Sequence, residues 1–203
     1  MLILGITVTA ILIGLIQGSC VEWAFHRFWL HKPLFPKDFF RAHTLVHHQL
    51  CKFEDTFHVS HIDQEEAIKF HWWGGPALLG INMTPWIVLA IIFYKTQLFT
   101  PGAVFLGSFA ATFTIYYLAY EGLHYLMHKP KLSIVENNFY FRFIKDYHRI
   151  HHAKTNKNLN VVFPLADILF GTAVWKASSL TPLITPLAAA EIARTNSRYN
   201  KFH

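Results

Sequence analysis

Fourteen histidines occur in a chain of 203 residues, an excess that packing does not explain. Ten of them fall into four groups: His26 and His31; His43, His47 and His48; His124 and His128; His148, His151 and His152. Imidazole is the commonest metal-ligating side chain. In an α-helix, residues four apart differ by about 40° around the axis, so His43 with His47, His124 with His128 and His148 with His152 each share a face and can grip one ion. Their neighbours His48 and His151 point about 100° away and suit a second ion. His26 and His31, five apart, suit different ions or a single ion beyond a helix end. One such pair taken alone reads as surface or hydrogen-bonded core. Four groups just outside apolar segments, with none inside them, predict a dinuclear metal centre, because enclosed imidazoles need partners and coordination supplies them.

Carboxylates lie beside these groups. Glu22, Glu121, Asp146 and Asp167 are candidates to orient imidazoles through their second ring nitrogen. Glu121 and His124 form a Glu-x-x-His pair of the kind that supplies two ligands in di-iron carboxylate bundles, although helix-end charge is its simpler explanation. His58, His61, His71 and His203 fall outside the groups; the first two read as surface residues or an added contact, and His203 as part of a mobile terminus. Cys20 and Cys51 are too few for a disulfide framework or a four-cysteine metal site and read as small buried thiols.

The elements that must position the histidines follow from composition. Hydrophobic residues make up 53% of the chain and charged residues only 15%, against about 25% charged in average globular proteins. Met1 to Val21, Trp72 to Tyr94 and Thr96 to Tyr120 contain no Asp, Glu, Lys or Arg. Each is long enough to cross a bilayer, which takes roughly 20 apolar residues. The first has neither the basic start nor the small-residue cleavage site of a signal peptide and reads as a retained span running to about Phe25. Lys95, Thr96 and Gln97, followed by Thr100, Pro101 and Gly102, are a turn signal between the other two. The run Ala177 to Ala190, broken by Pro182 and Pro186, is too short to span. The expectation is an all-α integral-membrane protein, residues 1–203 forming one domain with about three transmembrane helices and a cytoplasmic helical cap over the metal site.

The net charge of +6 does not point to nucleic acid. Of the 18 Lys and Arg, only Lys95 lies between Trp72 and Tyr120. The others flank the spans on the side that carries the histidines, as expected where both polar regions face the cytoplasm, with anionic headgroups as a secondary contact.

The boxes His-Arg-Phe-Trp-Leu-His (26–31), His-Thr-Leu-Val-His-His (43–48) and His-Arg-Ile-His-His (148–152) resemble those of the fatty acid hydroxylase and sterol desaturase superfamily of integral-membrane di-iron enzymes. Glu121-Gly-Leu-His-Tyr-Leu-Met-His128 is similar to that family's additional histidine pair, and Asn158 to Thr172 to the stretch that follows its last box. The likeness runs from about Phe25 to Thr172. It implies a cytoplasm-facing site in which the ten grouped histidines bind two iron ions, with zinc a common occupant of purified samples. Dioxygen is the implied co-substrate and a lipid C–H bond the target. His31 and His47 are equally open to a supporting role. Larger members have four spans where three are evident here. Carotenoid hydroxylases resemble the chain in size and box layout, and desaturation is open to the same site; the His124/His128 pair and the 158–172 stretch favour the fatty acid hydroxylase side.

No G-x-G-x-x-G fingerprint or ferredoxin-like cysteine set is present, so the resemblance implies an external donor, cytochrome b5 or ferredoxin with a reductase. Two further readings compete. A haem cytochrome would place paired histidines within its spans. A metal-binding or transport protein needs ionisable groups near the midplane, where the chain offers little beyond Gln17 and Asn82.

Overall fold

A computed structural model describes residues 1–51, 57–59, 68–92 and 99–175. All regular structure among the described residues is helical. The order is α1 (Leu2–Phe25), a π-helical turn (His26–Leu30), α2 (Asp38–Phe40), a second π-helical turn (Arg41–His47), α3 (His48–Leu50), α4 (Gly74–Ile92), α5 (Phe99–His128), α6 (Ser133–Glu136), α7 (Phe139–Ala153) and α8 (Leu165–Leu169). Met1–Ala173 is one compact unit. Of the second, Val174–His203, the described residues are Val174 and Trp175; the apolar run Ala177–Ala190 lies outside them.

Three helical stretches are long and apolar enough to cross a bilayer: Leu2–Leu30, Gly74–Ile92 and Thr100–His128. The first span ends its α-helical part at Phe25, as expected, and continues through the first π turn. Leu4, Leu12, Ile81, Ile91, Ile115 and Leu118 face outward and are exposed, a surface suited to lipid rather than water. The chain is therefore an all-α integral-membrane protein.

Small residues let α1 and α5 approach closely. A Cβ added at Gly18 would lie 2.8 Å from the Tyr116 ring, so any larger side chain there would push the two helices apart. Ala10, Phe109 and Phe113 fill the seam below. The third helix, α4, is clamped by polar groups: Gln17 Nε2 donates to Asn82 Oδ1 at 2.9 Å, and Trp86 Nε1 donates to Gln17 Oε1 at 3.1 Å. The two polar residues expected within the spans thus satisfy each other at a helix contact, where a hydrogen bond in an apolar setting avoids the cost of an unmade one. α4 runs antiparallel to α5, with Trp86 beside Phe105 and Gly75 beside Tyr117. Thr100, Pro101 and Gly102 lie in the first turn of α5 rather than in the connecting turn; proline is tolerated there because that N–H has no intrahelical partner. Lys95, Thr96 and Gln97 lie outside the described residues.

The amphipathic helix α7 covers the histidine end of the bundle. Asn138 caps it, accepting from Tyr140 N at 2.9 Å and Phe141 N at 3.2 Å, which satisfies two of the free N–H groups at the helix start. Phe141, Ile144, His148 and His151 recur at three- and four-residue steps and are all buried, so one face carries both core and histidines. Phe141, Ile144 and Tyr147 pack with Phe57, Tyr120, Met127 and Val161.

Candidate metal centre

All ten grouped histidines meet, in two clusters of five. His26, His31, His43, His48 and His151 form the first; His47, His124, His128, His148 and His152 form the second. Within each, one nitrogen per ring lies within 4.8 Å of every other. Nine of the ten are buried and His31 is half-buried. The clusters adjoin: the His43 and His47 ring centroids are 5.0 Å apart, and those of His48 and His152 are 4.4 Å apart. Because α1 and α5 each carry histidines at their C-terminal ends, these helices run parallel and open the site at one end of the bundle.

The sorting follows backbone geometry. On α5 and α7, which are α-helical, spacing of four works as expected: His124 joins His128, and His148 joins His152, while His151 turns to the other cluster. The middle box departs from expectation, since His43 pairs with His48 and not with His47. Arg41–His47 is π-helical, so a turn closes from i to i+5 and residues five apart share a face. The same geometry brings His26 and His31, also five apart across a π turn, into one cluster.

Protein oxygens fix several rings. His26 Nδ1 donates to Leu159 O at 2.5 Å, His128 Nδ1 to Phe57 O at 2.7 Å and His151 Nδ1 to Lys157 O at 2.8 Å. Thr44 Oγ1 donates to Leu30 O at 2.6 Å and therefore accepts from His31 Nδ1 at 3.2 Å. A carbonyl only accepts, so the proton sits on Nδ1 and the Nε2 lone pair points inward. His31 Nε2 and His151 Nε2 nonetheless lie 3.2 Å apart. Two lone pairs at that distance repel unless a cation lies between them.

Other spacings agree with a cation. Nε2 contacts run from 2.9 Å for His26–His43 to 3.2 Å for His151–His48 in the first cluster. In the second, His128–His148 is 3.1 Å and His152–His148 is 3.0 Å. Two imidazole nitrogens each about 2.1 Å from one ion and at right angles to each other are about 3.0 Å apart. Both nitrogens of His47, and Nδ1 of His48, His148 and His152, are buried without a hydrogen-bond partner, although buried polar groups are nearly always paired.

Burial also sets protonation. It pushes the His31 imidazole down to about 2, helped by nearby His151, and His151 to about 4 against the pull of the Lys157 carbonyl. Burial, then neighbouring histidines, hold His43, His47, His48, His148 and His152 well below the usual imidazole range. The rings are neutral, the form that binds metal.

The four candidate carboxylates do not touch the rings as expected. Asp146 is exposed and lies 3.8 Å from Arg149. Glu121 belongs to neither cluster; its carboxylate accepts from Phe70 N at 3.4 Å. Glu22 and Asp167 are buried and hold backbone: Asp167 accepts from Leu159 N and Asn160 N, and Glu22 from Val161 N, Asn160 Nδ2 and Tyr116 OH. Backbone carbonyls and the Thr44 hydroxyl do the orienting instead. A backbone carbonyl has no sequence signature, but Asn158, Asn160 and Asp167, buried polar residues within an otherwise apolar stretch, were the available sign. His58 and His71 are exposed and join neither cluster; His61 and His203 lie outside the described residues. Cys51 is buried, with its thiol pushed up to about 12 by burial, whereas Cys20 is half-buried.

A cavity of about 700 Å³ reaches the centre, lined by His43 and His124 with Phe39, Phe70, Trp73 and Tyr120, and with Asp38, Lys69 and His71 on its polar side. It shares Pro36, Phe39, Phe70 and Trp73 with an apolar groove of about 500 Å³, where Ala24 and Phe25 of α1 face Ala77 and Ile81 of α4.

Comparison with known proteins agrees with this architecture. The family model described as fatty acid hydroxylase matches residues 11–172. A ceramide very long chain fatty acid hydroxylase, scs7, of Schizosaccharomyces pombe is 27% identical over 169 residues, 83% of this chain and 43% of the relative. The chain thus spans less than half the length of that relative. No solved structure matches.

Proposed function

The chain belongs to the fatty acid hydroxylase family, and from that premise we propose that it is a membrane oxidoreductase that hydroxylates a C–H bond of a lipid acyl chain at two iron ions. His26, His31, His43, His48 and His151 hold one ion; His47, His124, His128, His148 and His152 hold the other. The observation that carries the metal assignment is the inward-facing lone-pair pair His31 Nε2 and His151 Nε2 at 3.2 Å. Imidazole suits iron among other metals, and the family supports iron over the zinc that also favours such rings. When bound, the ions supply the activation of dioxygen.

The chain's own residues do the rest. Phe39, Phe70, Trp73 and Tyr120 give the cavity at His43 and His124 an apolar wall, which lets an acyl chain displace water from the reacting carbon. The groove between α1 and α4 lies within two spans and offers a path for a membrane lipid. Inserting one oxygen atom into C–H and reducing the other to water takes two electrons and two protons, the protons coming from solvent and the electrons supplied from outside by cytochrome b5 or ferredoxin with a reductase. The basic flanks beside the histidine end favour a cytoplasmic site. The relative's name favours a ceramide-linked or free fatty acyl substrate over a sterol or carotenoid.

The test is turnover in iron-loaded nanodiscs with reductant, ceramide and ¹⁸O₂. A product gaining one ¹⁸O atom is expected. A product two hydrogens lighter without label assigns desaturation instead, and product formed equally without dioxygen contradicts an oxygenase.

A further inference from the structure

Two of the five rings of the first cluster are tethered to a single segment: His26 by the Leu159 carbonyl and His151 by the Lys157 carbonyl. That segment is not part of a helix and cannot hold its own shape. Its shape comes from Asp167. One carboxylate oxygen accepts from Leu159 N at 3.0 Å and Thr172 Oγ1 at 2.6 Å, and the other accepts from Asn160 N at 2.7 Å. Asp167 N in turn donates to Asn160 Oδ1 at 3.1 Å, and Asp167 O accepts from Thr172 N at 2.8 Å. The side chain is fully buried. Asn158, with φ of 54°, donates from N to Thr172 O at 3.1 Å and from Nδ2 to Tyr147 O at 2.9 Å. Asn160 Nδ2 reaches Ser19 O at 2.9 Å and Glu22 Oε2 at 3.1 Å, tying the segment to α1 one turn before His26.

The second cluster has a different tether. His128 is held by the carbonyl of Phe57, and Val59 N donates back to His128 O at 2.9 Å. Among the described residues, Asp167 makes no hydrogen bond to Phe57 or Val59.

We propose that Asp167 is a positioning residue for the first metal site alone: it holds the 157–161 segment so that two backbone carbonyls aim His26 and His151 inward. The inference rests on the metal reading of the clusters. A carboxylate is required because Leu159 N, Asn160 N and Thr172 Oγ1 are all donors; an amide at this position would turn its own N–H groups toward one of them. Outer contacts of this kind typically change metal affinity by about 10–100-fold.

The test measures iron per chain in purified full-length protein after exposure to a moderate chelator. Wild type is expected to retain two ions and D167N one. The lost ion is assigned with double variants: D167N/H151A retains one ion, because both changes strike the same site, whereas D167N/H148A retains none. Two ions in D167N, or loss of both, overturns the inference, the latter because it marks a general role in folding. Should D167N not purify as a monodisperse protein, Thr172→Val decides, since it removes one donor and leaves both backbone bonds; Thr172 Oγ1 also accepts from Trp23 Nε1 at 2.9 Å, so Trp23→Phe is the control and is expected to leave the release of both ions unchanged. Faster chelator release of one ion with the other unchanged is then expected, and equal or unchanged release of both overturns the inference. Fewer than two ions in wild type overturns the metal reading itself, and this inference with it.

Discussion

Four imidazoles of this centre, those of His26, His31, His128 and His151, are held at Nδ1 by a protein oxygen and others are not, and that difference defines what individual substitutions do. His151 is fixed by the Lys157 carbonyl and faces His31, so His151→Ala is expected to remove the first ion while leaving the second. His148, between His128 and His152, is the corresponding residue of the second cluster, and His148→Ala is expected to remove that ion. Either loss should lower turnover by about 100-fold or more, since ligand removal exceeds the 10–100-fold typical of outer contacts. Metal analysis and turnover on the same preparations check this; full metal content in both variants would refute the ligand assignments. The ten histidines were legible in the sequence because their number and grouping have no packing explanation. Their helpers were not: Lys157, Leu159 and Phe57 contribute only carbonyl oxygens, which any residue type provides.

Among the elements, the spans were legible because the absence of charge over 20 residues has one physical meaning in a helix, and α1 ends where the charge-free stretch and its aromatic flank predict. The π turns were not legible. Spacings of four and five are both present in His43-Thr-Leu-Val-His47-His48, and ordinary helix geometry selects the wrong one. Only the backbone, closing i to i+5 over Arg41–His47, decides that His43 and His48 serve one cluster. Deleting Leu45, which is exposed, shortens that spacing to four. The π turn then relaxes to an α turn, in which residues four apart share a face, so His43 and His48 still meet and the expected outcome is two bound ions with the three spans intact, read as metal content beside helicity by circular dichroism. Loss of either ion after the deletion would show that the π turn does more than bring His43 and His48 to one face.

For the molecule as a whole, the site sits at the end of a membrane bundle, where helices α1 and α4 leave an apolar groove beside the cavity that reaches His43 and His124. Ala77, on the groove wall, is distant from both clusters in sequence and contributes no ligand. Ala77→Trp is expected to fill the groove and cut turnover of a bilayer-embedded lipid about tenfold or more, because a displaced chain misses the reacting geometry, while both ions stay bound. Unchanged turnover would exclude this path. The central claim, that ten imidazoles enclose two ions, is tested most directly by X-ray absorption and metal analysis of the iron-loaded wild-type protein. Two ions per chain are expected, each in a shell of imidazole nitrogen at about 2.1 Å; a stoichiometry of one or none, or a shell without imidazole, would refute the dinuclear centre.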